Sequence, residues 1–369
     1  MIVKSLFLEG FRNYDKIFVE FEDNVNVITG NNAQGKTNLL ESIYYMTSAK
    51  SFRTRSDSEL IGFNLERATI EVDITSSGRE QKLKSELMLG RRRKIYANGV
   101  KLKTSAELSG RLTAVLFSPD DLYLIRDGAA VRRKLMDFVL CQLRPRYAAA
   151  LAEFNRVYEH KTRILRDWHE KPSLLEALDE YSYRLAQMSA ELIYYRAAFS
   201  KVLSEKAAKI HSEFSGGAED LKIEYRTIKT IDDTAKKPAE LLPMILEHLE
   251  SHRAAELESS LCLSGAHKDD LEIMIDGVSA KNFASQGQTR TAALSVKLAE
   301  REIHFDDRGE YPILLLDDVL SELDHGRQDF VLNRIKDGQI FITCCEGKSI
   351  AEKTGGRVFF VENGKIARS

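Results

Sequence analysis

Gly30-Asn31-Asn32-Ala33-Gln34-Gly35-Lys36-Thr37 is the stretch whose reading decides the fold. It fits G-x-x-x-x-G-K-[ST], a phosphate-binding loop. Val25-Asn26-Val27-Ile28 before it is a short β-branched run, and Asn38-Leu39-Leu40-Glu41-Ser42-Ile43-Tyr44 after it repeats apolar residues at helical spacing. Strand, loop and helix in that order form an anion cradle, because successive backbone N–H groups turn inward with the positive end of the helix dipole behind them. Gly30, Asn31, Asn32, Ala33, Gln34 and Gly35 would line the cradle, Lys36 would reach the β- and γ-phosphates, and Thr37 would bind magnesium. A glycine-rich turn with a chance lysine is the other reading, and the agreement of motif with setting argues against it.

Far along the chain, Ile313-Leu314-Leu315-Leu316-Asp317-Asp318 is a buried-strand run ending in paired acids. A phosphate-loop protein presents its magnesium carboxylate in this way, at the C-terminal end of a strand. Asp317 would hold the ion, and Asp318 would orient or deprotonate the attacking water. Taken alone the pair could be an acidic turn closing a core strand; with a phosphate loop elsewhere, both would meet at one sheet.

Ile2 to Ile28 alternates apolar and polar residues, broken at Gly10 and at Glu22-Asp23-Asn24, and reads as three short strands. Phe11-Arg12-Asn13-Tyr14 joins the first two, either as a plain turn or as one that sets Arg12 or Asn13 beside the nucleotide. Ala68 to Ile74 and Leu83 to Lys103 read as an antiparallel β-layer punctuated by Gly90 and Asn98-Gly99. Arg91-Arg92-Arg93-Lys94 falls at a hairpin tip, where it either contacts phosphates or is a solvated edge that discourages strand pairing. Ser118-Pro119-Asp120-Asp121 carries the signals of a helix start.

Leu151, Phe154, Tyr158 and Leu165 mark one helix, and Lys171-Pro172 a break. Leu174, Leu178, Tyr181, Leu185, Met188, Leu192, Tyr195, Phe199 and Val202 then step by four and three, a heptad seam that predicts an antiparallel helical hairpin and a long helix over 173–214. Gly216-Gly217 ends it, and strand-like and helical segments follow. The expected architecture is an α/β ATPase head whose halves, 1–127 and 261–369, flank an inserted, mainly helical lobe at 128–260.

Ser285-Gln286-Gly287 opens another helix, with Ala292, Val296, Ala299 and Ile303 on one face, so that its positive end is free for an anion. This Ser-x-Gly is similar to the signature motif of ABC-type ATPases, and Ser321-Glu322-Leu323-Asp324 stands where that class has its D-loop. Phe11-Arg12-Asn13-Tyr14, the loop 30–37 with its helix, Phe117 to Leu122, His267-Lys268-Asp269-Asp270-Leu271, Ser285 to Arg290 and Leu316-Asp317-Asp318 together resemble the RecF family of SMC-related ATPases, over essentially the whole chain. Ala266, Lys268 and Thr289 depart from that pattern, where Pro, Arg and Gln are usual. No histidine occupies the switch position near Thr343-Cys344.

The resemblance implies an ABC/SMC-type head that binds ATP with magnesium and dimerises when it does so. Each nucleotide would lie between Lys36, Thr37 and Asp317 of one copy and Ser285 and Gly287 of the other. It further implies binding to gapped, single-stranded or junction DNA, slow DNA-stimulated hydrolysis, cooperation with RecO and RecR in loading RecA, and roles in replication restart and the SOS response. A transporter nucleotide-binding subunit, a structural SMC-like chromosome protein and a P-loop kinase are the rival readings. The first usually keeps a switch histidine, the second needs far longer coiled coils, and the third does not explain Ser285 or Asp324.

Bulk properties fit. The 369 residues exceed what one core usually organises. No apolar run approaches the roughly 18 residues of a membrane helix, and the N-terminus lacks a secretory pattern, so a cytoplasmic, nucleoid-associated protein without a membrane partner is expected. Four cysteines without a Cys-x-x-Cys pair predict reduced thiols and no zinc. A net charge of -2 requires that any DNA be held by a local basic face.

Overall fold

The computed structural model describes residues 1–368, with the side chains of Glu322 and Arg368 outside the described set. The chain opens with β1 (Ile2–Phe11), β2 (Tyr14–Glu20), β3 (Val25–Thr29), α1 (Lys36–Ser48), β4 (Arg67–Ser76), β5 (Arg79–Met88), β6 (Lys94–Ala97), β7 (Val100–Lys101) and β8 (Ala114–Phe117). Next come α2 (Tyr123–Arg126), α3 (Ala129–Leu143), α4 (Pro145–Asp167), α5 (Leu178–Ser215), β9 (Leu221–Arg226), α6 (Pro238–Ser259), β10 (Asp270–Ile275), β11 (Val278–Ser279), α7 (Ala280–Phe283) and α8 (Gln286–Arg308). It closes with β12 (Ile313–Asp317), α9 (His325–Arg334), β13 (Ile340–Cys344), α10 (Gly347–Thr354), β14 (Arg357–Glu362) and β15 (Lys365–Arg368).

Met1–Asp121 and the chain from Lys297 onward form one unit, built on two six-stranded sheets. The antiparallel sheet runs β2-β1-β4-β5-β6-β7, and its alternation of buried and exposed residues is what one covered face demands. The other sheet runs β15-β14-β3-β13-β12-β8, parallel except for the edge strand β15. Its strands β3, β8, β12 and β13 are buried at every position, so they read in sequence as continuous apolar runs.

Helix α1 touches strands of both sheets, and this position explains its composition. Leu39, Leu40, Ile43 and Met46 are buried in the shared core, each contributing about 1.5–3 kcal/mol by its removal from water. Because both sides of the helix are covered, Glu41, Ser42 and Thr47 are buried too and must find polar partners. Phe21 meets Phe341 edge to face at 4.8 Å and ties β13 into the same core.

Leu122–Val296 form the second unit. Helix α5, 38 residues and about 57 Å long at about 1.5 Å per residue, packs along α4, α6 and β9. The seam read from the sequence is only partly the buried row: Leu178, Leu185, Leu192 and Phe199 are buried, Tyr181, Met188 and Tyr195 are half-buried, and Val202 is exposed. Several packing neighbours require a wider stripe, which Ala186, Ala190, Ile193, Leu203, Ala207 and Ile210 supply. The helix also starts later than 173, because Pro172–Ala177 form a tighter 3₁₀ turn.

The division differs from the expected one. The stretch 261–296 belongs to the second unit and not with the ATPase half assigned to 261–369, because β10 pairs along its length with β9, from Asp270↔Arg226 to Ile275↔Leu221. The first crossing lies at Asp121/Leu122 instead of 127/128. The helix signals at Ser118 open a 3₁₀ turn at Pro119–Leu122 before α2, with the Asp121 carboxylate accepting from the Ser118 N–H at 2.7 Å.

Candidate nucleotide site

The loop from Gly30 to Gly35 leaves β3 at an interior position of the parallel sheet and enters α1. Gly30 has φ 152, and a Cβ there would lie 2.2 Å from the Val361 carbonyl oxygen. Gly35 has φ 118 and sits against Asn13 and the Tyr14 hydroxyl. A side chain at either position would force the loop open. The Lys36 ammonium donates to the carbonyls of Gly30 at 2.6 Å and Asn31 at 3.0 Å, so the cation lies across the mouth of its own loop.

The carboxylate arrives from β12, with β13 between it and β3. Thr37 Oγ1 donates to Asp317 Oδ1 at 2.9 Å, joining residues 280 positions apart. Thr343 on β13 donates to the same oxygen at 2.8 Å and accepts from the Asp318 N–H at 2.9 Å. Burial raises the Asp317 carboxyl above the ordinary carboxylate range, the Thr343 and Thr37 hydroxyls pull it back, and neighbouring Asp318 pushes it up again. Asp318, at φ 56, turns the chain out of the strand, and its side chain accepts from Ser321 Oγ at 3.1 Å. A hydroxyl and a carboxylate oxygen side by side are the hard donors that magnesium takes, and the glycine-lined loop ahead of α1 suits a polyphosphate. The residues therefore fit a nucleoside triphosphate with magnesium.

Arg12 and Asn13 stand at the loop, held there by protein groups. The Arg12 guanidinium donates to both oxygens of Glu41, at 2.9 and 2.7 Å, and to the Glu59 carbonyl at 2.8 Å. Asn13 donates to the Gln34 carbonyl at 2.9 Å and accepts from Asn38 at 2.8 Å, while the Tyr14 hydroxyl donates to the Gly35 carbonyl at 2.9 Å. From the other side, the Asn363 N–H donates to the Gln34 side chain at 2.7 Å. The β1–β2 and β14–β15 turns thus clamp the phosphate loop.

Sequence reading missed Glu41, Arg53, Thr343, Cys345 and the Asn363 turn. Glu41 is fully buried and also receives Arg53 at 3.4 Å and the Ser51 hydroxyl. Arg53 donates to Asn38 at 2.6 Å. The Cys345 thiol, one residue beyond the switch position near Thr343-Cys344, donates to Asn32 Oδ1 at 3.2 Å and lies 3.8 Å from Lys36 Nζ. Only Glu41 left a signal: an acid within an otherwise apolar helical face.

Ser285 and Gly287 belong to the second unit, at the start of α8. Ser285 Oγ accepts from the Gln288 N–H at 3.2 Å, and Gln288 Oε1 accepts from the Ser285 N–H at 2.9 Å. This reciprocal capping box satisfies two donors and leaves the Ser285 hydroxyl hydrogen able to donate. Asp324, in the expected D-loop, caps α9 by accepting from the Arg327 N–H at 3.0 Å; the Glu322 side chain of that loop is outside the described set.

Two sequence candidates change character. Arg93 turns inward, pairing with Asp57 at 3.0 Å and donating to the Tyr45 hydroxyl and the Ala49 carbonyl, so the basic run 91–94 presents three outward cations and not four. His267 packs on Tyr158 with centroids 4.6 Å apart and bonds the Cys262 carbonyl, and burial lowers its imidazole to about 4. The acids after it hold the second unit together: Asp269 receives Arg196 at 2.7 Å, and Asp270 pairs with Arg132 at 2.7 Å.

The model of the RecF/RecN/SMC N terminal domain family matches residues 2–367. The DNA replication and repair protein RecF of Clostridium kluyveri is 38% identical, covering 100% of both chains. Its counterpart in Acetivibrio thermocellus is 36% identical over 98% of both. Among solved structures, the recombination mediator protein RecF-ATP of the RecFOR pathway matches with a TM-score of 0.89 at 31% identity, covering 100% of this chain and 99% of its own. The Smc head domain of Pyrococcus furiosus, at 16% identity and a TM-score of 0.57 over 100% of this chain and 96% of its own, shares the fold.

Proposed function

This chain belongs to the RecF family, and from that premise we propose that it is an ATP-binding recombination mediator of DNA repair and replication restart. The observation that carries the nucleotide-binding part of this reading is the 2.9 Å contact between Thr37 and Asp317, which joins the phosphate loop to the acid pair at the end of β12. When bound, ATP with magnesium supplies a γ-phosphate that can bridge two copies and a bond whose hydrolysis ends the bridge. The backbone N–H groups of residues 31–35 and Lys36 would bind the polyphosphate, and Thr37 and Asp317 would hold the metal. Asp318 orients a water, its position set by Thr343 and Ser321.

Ser285 and Gly287 of a second copy would contact the γ-phosphate from the N-terminal end of α8, so that assembly is an isologous, ATP-dependent homodimer with two nucleotides. Hydrolysis is slow and acts as a release timer for a dimer on DNA, which binds a basic surface and weakens with salt. The relatives' RecFOR setting supports RecO and RecR as partners, with RecA loading at gaps and SOS support as the outcome, in the cytoplasm where the nucleoid lies. The full-length match to RecF proteins does not favour the transporter reading.

Sedimentation velocity with ATP and magnesium tests the assembly. The wild type dimerises, and Ser285→Arg remains monomeric while still binding ATP. A Ser285→Arg protein that dimerises like the wild type overturns the sandwich.

A further inference from the structure

Phe63 is 99% exposed, an arrangement that costs apolar hydration without any internal return. It does not sit on a loose loop. The Leu65 N–H donates to the Gly62 carbonyl at 3.1 Å, closing a turn around Phe63, and the Gly62 N–H donates to the Gly10 carbonyl at 2.8 Å, pinning that turn to β1. Next to it, the Leu89 N–H donates to the Glu66 carbonyl at 3.0 Å, which brings the β5–β6 hairpin tip alongside. Leu65, Met88 and Leu89 are exposed there as well, so that with Phe63 this hydrogen-bonded tip carries four exposed apolar side chains. Exposed Arg67, Arg91 and Arg92 border it, with Glu66 as the acid of the same turn.

We propose that this tip docks a protein partner that offers an apolar pocket bordered by carboxylates. A pre-organised aromatic with aliphatic neighbours is the composition of an interface anchor, and the arginine rim selects the acidic complement. Single-stranded nucleic acid fits less well: three of the four anchors are aliphatic and offer no ring for base stacking. A second copy is disfavoured because a two-fold contact through the tip would bring two arginine rims of like charge together. The tip is also close in the chain to the nucleotide clamp, since the Arg12 N–H donates to the Leu60 carbonyl at 2.8 Å. The proposal rests on the recombination-mediator reading and gives its protein partners a place to bind.

Purified RecR and RecO from the same bacterium are the probes, titrated against the full-length wild type, Phe63→Asp and the double variant Arg91→Glu/Arg92→Glu by calorimetry. One of the two binds the wild type, Phe63→Asp weakens it at least tenfold, and the double variant weakens it and flattens its salt dependence. Affinity of Phe63→Asp for ATP and for a thirty-residue oligothymidylate stays at the wild-type value. The proposal is overturned if neither protein binds, if Phe63→Asp binds as the wild type does, or if Phe63→Asp loses only the oligonucleotide. ATP binding by the wild type is read in a separate titration, so a failure of the broader function and a failure at the tip give different signals.

Discussion

Breaking the Arg12–Glu41 pair separates an anchoring arginine from a nucleotide-binding one. Glu41 is fully buried on α1, five residues after Lys36, and Arg12 is 19% exposed. Two charge-assisted bonds at 2.9 and 2.7 Å would be worth about 1.5–3 kcal/mol each. Partial exposure of Arg12 favours the lower end, for a coupling of about 2–3 kcal/mol. Arg12→Ala leaves the buried carboxylate with Arg53 at 3.4 Å and Ser51, and should cost about 3 kcal/mol. Glu41→Gln leaves an arginine that can turn towards water, and should cost about 2 kcal/mol. The double variant should lose about 2 kcal/mol less than the sum. Urea unfolding of all four proteins at pH 7.5 measures this, with melting temperatures falling roughly 2–4 °C per kcal/mol for a unit of about 200 residues. Both single variants should lower ATP affinity by a similar factor, since each loosens α1 behind the loop. A coupling below about 0.5 kcal/mol would refute the anchoring role. So would Arg12→Ala losing tenfold more ATP affinity than Glu41→Gln, which would put the guanidinium on the nucleotide itself.

His304 is fully buried on α8, and desolvation, with Arg308 and Lys297 adding to it, lowers its imidazole to about 3. The unfolded chain, titrating near 6.5, therefore takes up this proton first, so stability present above pH 6.5 is lost as pH falls towards 3. Between pH 7.5 and 5.0, His304→Gln should lose roughly 2 kcal/mol less than the wild type in urea unfolding, and parallel losses would contradict the assignment. Arg93→Ala removes the Asp57 pair and the bonds to Tyr45 and Ala49, and should destabilise by about 2 kcal/mol, whereas Arg91→Ala/Arg92→Ala should stay within about 0.5 kcal/mol. Calorimetric melting separates them, and equal losses would mean that Arg93 is not the inward member of the run.

Much of the fold was legible because local periodicity carried it. The β-branched run before Gly30 is β3, the apolar run before Asp317 is β12, and Gly216 ends α5 in the left-handed conformation. The boundary at 260 was not legible, because β10 is defined by its pairing with β9, whose Arg226 stands 44 positions before its partner Asp270, a choice made by register and not by local pattern. The heptad reading of α5 found the right helix and part of the right face. It could not foresee that α4, α6 and β9 would all pack on that helix and widen the stripe.

The sequence by itself determined the chemistry of the loop: glycines where φ is positive, a lysine and threonine at the head of a helix, and an acid pair at the end of a core strand. These are short-range requirements, met by residue type and spacing alone. Only the tertiary structure decided what surrounds them. Sandwiching α1 between two sheets turned Glu41 from a solvated helix residue into the buried carboxylate that holds Arg12, and the inward bend at Arg93 removed one cation from an apparent basic run. Such outcomes depend on which buried charges lack partners once the elements have packed, a condition that arises from contacts between segments distant in the chain.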